Sequence, residues 1–202
     1  DGTFLEASRQ SHNQVIIGIN SAPNHSVGRF CLGTVDDFSH IINKIQKRKY
    51  EIALFHRLQL KVDSNPELLS SLNDILICHS NPAVLCRYYI NIKNVIEEQR
   101  SSGIWISTPA GSSGAIHSAG GKILNQYSKQ FQYLPRELYL GKNESYKLKG
   151  GVLSSNTLIR ITSLMRNGAI YMDGPHHKLP FEYGMEAEIK LSSKPIKTIR
   201  LK

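Results

Sequence analysis

The run Ser107-Thr108-Pro109-Ala110-Gly111-Ser112-Ser113-Gly114-Ala115, closed by Ser118-Ala119-Gly120-Gly121, gathers hydroxyls and glycines directly after the apolar Ile104-Trp105-Ile106. A strand is therefore expected to enter a polar, glycine-rich turn. Glycine lets backbone N–H groups approach a ligand closely. A helix starting near Ser112 would aim its first N–H groups and positive dipole end at the same place. Hydroxyls add neutral donors and acceptors for ribose or amide groups. The turn suits an anion or a nucleotide; the alternative is an ordinary strand-to-helix turn with Ser as its cap.

Three shorter signals stand beside it. Asp1-Gly2-Thr3 precedes a helical pattern, where a carboxylate lies well placed beside bound phosphates to accept a proton from a substrate hydroxyl, or simply caps the helix. Asn73-Asp74 follows Leu72 at the start of an apolar run. Asn pairs with an adenine edge or a ribose, and Asp accepts from ribose hydroxyls; a plain turn is the other reading. His176-His177, after Asp173-Gly174-Pro175, offers imidazoles to a phosphate or forms an exposed polar turn.

The elements that position these residues follow from periodicity. A helix is expected after Asp1-Gly2-Thr3, and Val15-Ile16-Ile17-Gly18-Ile19 reads as a strand buried on both faces, as in a parallel sheet. Residues 21–33 read as a loop. Thr34, with Asp37 three residues on, is expected to cap a helix carrying Val35, Phe38, Ile41, Ile42 and Ile45. Alternation over residues 50–62 predicts one long antiparallel strand. Further strands are expected at 74–78, 85–93, 103–107, 157–162, 169–172, 187–191 and 197–201, interrupted by helix only at 112–127. This pattern predicts an α/β plus β chain: a remnant of an N-terminal α/β, Rossmann-like domain over 1–49, whose earlier strands precede Asp1, then a β-sandwich-like domain over 50–195. The last strand, 196–202, is a candidate to return to the α/β part.

The 202 residues carry 25 Lys+Arg against 16 Asp+Glu, a net charge of +9, which points to anionic partners. Tyr88, Tyr89 and Trp105 form no interleaved basic and aromatic stripe, so nucleic acid is not an expected partner. No apolar run approaches the roughly 18 residues of a membrane span. Cys31, Cys78 and Cys86 contain no Cys-x-x-Cys pair. They predict packing in a reducing compartment, with no protein-held metal site.

Five features in chain order together resemble the NAD kinase family. Asp1-Gly2-Thr3 is similar to the end of its Gly-Gly-Asp-Gly-Thr motif, Gly18-Ile19-Asn20 to its Gly-Ile-Asn strand end, and Asn73-Asp74 to its Asn-Glu/Asp motif. Residues 107–121 resemble its Gly/Ser/Thr-rich motif ending in Ala-Gly-Gly, and Asp173-Gly174 its late Asp-Gly. Two departures stand out. Ser101-Ser102-Gly103 replaces the usual Gly-Asp-Gly, nearer the mitochondrial-type branch, and Ser113-Gly114-Ala115 replaces Thr-Ala-Tyr, removing an expected stacking surface for adenine.

The resemblance implies phosphoryl transfer from ATP or polyphosphate to the 2′-hydroxyl of NAD, with Mg2+ or another divalent ion, giving NADP. It implies Asp1 as general base and Gly2 and Thr3 at the phosphates. Asn73, Asp74, Ser107, Thr108, Ala110, Gly111, Ser112, Ser113, Asp173 and His176 would form the nucleotide site. It further implies a homodimer or homotetramer in the cytoplasm, or in the mitochondrial matrix of a eukaryote. A lipid kinase of the same superfamily and a non-catalytic nucleotide binder are the competing readings.

Overall fold

Alternating apolar residues dominate the strands, and their burial follows the two-residue period: Cys86, Tyr88, Ile90 and Ile92 point inward along one strand while Arg87 and Tyr89 point outward. The computed structural model describes residues 1–11, 13–141 and 145–202. In chain order the elements are α1 (Gly2–Gln10), β1 (Gly18–Asn20), β2 (Cys31–Thr34), α2 (Phe38–Gln46), β3 (Tyr50–Phe55), β4 (Leu58–Val62), β5 (Asn65–Ser71), β6 (Asp74–His79), β7 (Cys86–Ile92) and β8 (Val95–Ser101). There follow β9 (Ile104–Ser107), a 3-10 turn (Gly111–Ser113), α3 (Ala115–Ser118), β10 (Gln130–Pro135), β11 (Gly151–Ser154), β12 (Ile159–Ser163), β13 (Gly168–Met172), β14 (His177–Pro180), β15 (Glu186–Leu191) and β16 (Ile196–Leu201).

The chain divides into two compact units, Asp1–Phe55 with Lys194–Lys202, and His56–Ser193. In the first, β1 and β2 pair in parallel and β16 pairs antiparallel with β3. Phe4 stacks on Phe30 with ring centroids 5.2 Å apart, and Phe55 meets both edge-on, giving this unit an aromatic centre. The second unit holds two six-stranded sheets, ordered β11-β10-β9-β6-β13-β14 and β5-β4-β15-β12-β7-β8, with every ladder antiparallel. Ile75, Ile77, Ile104 and Ile106 of one sheet share a core with Leu60, Tyr88, Ile90 and Ile161 of the other. The architecture is α/β plus β.

Several local expectations are corrected. Val15 is exposed and makes only an isolated bridge to Lys197, so the first strand is confined to Gly18–Asn20. The cap roles at α2 are reversed: the Asp37 carboxylate accepts from Thr34 N–H and Oγ1–H, each at 2.8 Å, ahead of a helix that starts at Phe38. The long strand over 50–62 breaks at His56–Arg57, where both side chains are buried and the first unit gives way to the second. The helix over 112–127 reduces to a 3-10 turn and the four residues of α3. Gly114 leaves helical geometry between them, and Gly120, at φ 101°, ends α3.

Candidate functional site

In the first unit, Asp1 sits exposed just before α1. Its carboxylate does not cap that helix; Oδ1 accepts the Phe30 N–H at 3.1 Å, tying Asp1 to the chain entering β2. Gly2 and Thr3 are exposed on the first turn, and a Cβ placed on Gly2 would meet nothing within 4 Å. Asp1, Thr3, Phe4, Asn20, Ser26 and Cys31 line a cleft of about 250 Å³. Asn20 organises one wall: Oδ1 accepts from Ala22 N–H at 3.1 Å and Ser26 Oγ–H at 2.9 Å, while Nδ2 donates to Ser26 O at 3.0 Å.

In the second unit the cluster forms where β6 begins. Ser107 pairs with Asp74 across the β6–β9 ladder, which brings the glycine-rich turn beside Asn73. The Asn73 carbonyl accepts the Thr108 N–H at 2.9 Å, and Thr108 Oγ1 donates to Leu72 O at 2.6 Å. Gly111 lies so close that a Cβ there would stand 2.2 Å from Asn73 O. From the other side the Asp173 carboxylate accepts the Asn73 N–H and Ser71 Oγ–H at 2.7 Å and the Leu72 N–H at 3.2 Å. Asp173 N–H in turn donates to Asp74 O at 3.0 Å.

Every one of these bonds uses backbone or supporting side chains. The Asn73 amide and the Asp74 carboxylate stay outside them, half-buried and without a hydrogen-bond partner among the described residues. Burial, reinforced by the Asp173 charge, raises the Asp74 carboxyl to about 7. At neutral pH this group therefore both accepts and donates hydrogen bonds.

The structure thus gathers Asn73, Asp74, Ser107, Thr108, Gly111 and Asp173 around one short segment. It also changes what several of them do. Ser107, Thr108, Ala110, Gly111 and Ser112 are buried and brace the turn instead of facing outward. Ser112 Oγ donates to Pro109 O at 2.7 Å and accepts the Leu124 N–H at 2.8 Å. Ser113 is half-buried, and Gly114 and Ala115 are exposed. His176 stands exposed in the turn between β13 and β14. Arg57 and Ser71 carry no motif; only the fold reveals that Ser71 bonds Asp173 and that Arg57, next to the Leu58 that pairs with Ser71, is buried at the same corner.

Cys31, Cys78 and Cys86 are free; burial raises the Cys78 thiol to about 11 and lifts Cys86 as well, so both persist as packing thiols. Among the described residues no helix is long and apolar enough to cross a membrane.

Solved structures share the fold. Yeast NADH kinase complexed with NADH superposes over all of this chain and 60% of its own length, with a TM-score of 0.84 and 19% identity. An NAD kinase from Archaeoglobus fulgidus in complex with ATP gives a TM-score of 0.77 at 23% identity over all of this chain and 74% of its own. In sequence, the NADH kinase of Arabidopsis thaliana is 30% identical over 100% of this chain and 70% of its own, and a probable NADH kinase of rice is 28% identical over 98% and 68%. The pairing of Asn73-Asp74 with a glycine-rich turn falls inside residues 72–201, which match the model of the ATP-NAD kinase C-terminal domain, and the chain belongs to that family.

Proposed function

We propose that this protein transfers the terminal phosphoryl group of ATP to the 2′-hydroxyl on the adenosine ribose of NAD or NADH. The NADH kinases of Arabidopsis and yeast support including the reduced dinucleotide, and the ATP complex of the archaeal enzyme supports ATP as donor. Polyphosphate is the second donor to test. The observation that carries the reading is the Asn73-Asp74 segment: its backbone is fixed from both sides while its two side chains remain available.

In this reading Asn73 and Asp74 hold the dinucleotide, and the Asp1 carboxylate takes the proton of the 2′-hydroxyl. As that oxygen forms its bond to the γ-phosphorus, the bond to the ADP oxygen breaks. The products are NADP or NADPH, ADP and a proton. Such chemistry depends mainly on positioning and charge. Among the described residues no group of three or more His, Cys, Asp or Glu could hold a metal ion. A divalent ion, where the reaction uses one, would be held chiefly by the phosphates of the donor and would neutralise their charge. The homodimer or homotetramer belongs to the same proposal, checked by light scattering.

The deciding assay is NADP(H) formation by the full-length protein from NAD or NADH, with ATP and then polyphosphate, for wild type and Asp1→Asn. Turnover is expected to fall by roughly 10²–10⁴-fold in the variant while dinucleotide binding persists. Binding without product from either donor would leave a non-catalytic nucleotide binder. Absence of dinucleotide binding would turn the assignment toward lipid acceptors.

A further inference from the structure

Arg57 lies in the short crossover between β3 and β4, with 5% of its surface exposed. Its carbonyl accepts the Ser192 N–H at 2.8 Å, which fixes its backbone. Burial lowers the affinity of its guanidinium for the proton, and the Asp173 carboxylate opposes that shift. Arginine keeps its charge even so. Leu58 pairs with Ser71 at the end of the β4–β5 ladder, so the buried Arg57 adjoins the segment that the Asp173 carboxylate grips at residues 71–73.

Asp173 itself is held in an uncommon conformation, φ 51°, followed by Gly174 at φ 104°. Its carboxylate accepts from Ser71 Oγ–H, Leu72 N–H and Asn73 N–H. Ser71 and Leu72 are fully buried. Three donors orient a carboxylate, and a guanidinium near the same segment favours that arrangement. Asp173 thereby fixes the backbone from which the Asn73 and Asp74 side chains project.

We infer that Arg57 is a positioning residue of the nucleotide site: through Asp173 it holds the Asn73-Asp74 segment in the geometry that presents both side chains. Its near-complete burial keeps the guanidinium from touching ligand directly. The inference rests on the proposed dinucleotide-binding function for its kinetic consequence, and on the fold alone for its mechanical one. A methionine fills similar volume without the charge, and a lysine keeps the charge without the planar fork. The two substitutions separate packing from electrostatic orientation.

The test uses the full-length protein with Arg57→Met, Arg57→Lys, Asp173→Asn and the Arg57→Met/Asp173→Asn double variant. Amide hydrogen exchange at Leu72 and Asn73 is expected to quicken in Arg57→Met and to return part of the way in Arg57→Lys. KM for NAD or NADH should rise roughly tenfold in Arg57→Met, the scale of indirect coupling, with kcat within about threefold of wild type. The double variant should be no worse than Asp173→Asn alone, because both changes loosen the same segment. Unchanged exchange and KM in a folded Arg57→Met, or additive effects in the double variant, would overturn the inference. If Arg57→Met does not fold, the exchange rates of Arg57→Lys decide it: wild-type rates at both amides refute it. Faster exchange in a protein that binds neither NAD nor NADH would sustain the clamp and refute only the dinucleotide reading.

Discussion

The carboxyl of Asp74 is the residue on which local electrostatics and function meet. Burial is the larger cause of its rise to about 7, and the Asp173 charge adds to it. Unfolded, the same group titrates near 3.8. Between these values the folded chain binds a proton that the unfolded chain has released, so the slope of stability against pH is negative. The contribution is fully present below the unfolded value and lost as pH rises through about 7. Asp74→Asn keeps the shape and removes the titration. Urea melts should therefore show Asp74→Asn gaining on wild type from about pH 5 to about pH 8, with little difference at the acid end. A constant difference across that range would mean that Asp74 does not hold its proton in the fold. Above about pH 7 the same substitution should weaken dinucleotide binding, because an amide cannot present the ionised carboxylate to ribose hydroxyls.

Among the elements, the glycine-rich turn is the most exacting. Gly111 is required by proximity: a Cβ would stand 2.2 Å from Asn73 O, a backbone atom with no side-chain freedom to yield. Gly111→Ala is expected to cost roughly 1–3 kcal/mol, read from urea or thermal unfolding, and to raise KM for the dinucleotide by displacing Asn73. Wild-type stability with wild-type KM would show that the turn relaxes freely. This element also shows what the sequence can disclose. The central strands β6, β7, β9, β12, β13 and β15 are legible because their apolar side chains face one core. β5, with Pro66, and β8, β11 and β14 lie at sheet edges, where burial on one face is weaker and the alternation fades. β10 hides its strand character behind Gln132, whose amide is buried against the backbone of Lys122. The site is legible in its residues and not in their orientation. The bonds that Ser107, Thr108 and Ser112 make to backbone carbonyls are not legible in one dimension, because hydroxyls serve a nucleotide or a backbone equally well. Arg57 is silent because nothing in an alternating run marks which cation will be buried.

At the scale of the molecule, the two units differ in how they close. Residues His56–Ser193 are continuous in sequence, and the main core, from Leu58 to Leu191, draws only on them. The first unit is discontinuous: β3 has its ladder partner in β16, at the far end of the chain. Ile196 and Ile199 of that strand are buried, so its removal would expose apolar surface as well as unpaired backbone. A fragment spanning 56–193 is therefore expected to fold alone, with cooperative unfolding and slow amide exchange along β6, β7 and β12. A fragment of residues 1–55 should not, and adding residues 194–202 through a short flexible linker should restore it. The fragment 56–193 retains Asn73, Asp74, Asp173 and Arg57 but lacks Asp1, so it should yield no NADP or NADPH with either donor. A collapsed, rapidly exchanging 56–193 fragment would show that the β-sandwich depends on the first unit for its stability, and that the shared apolar core is not sufficient to specify it.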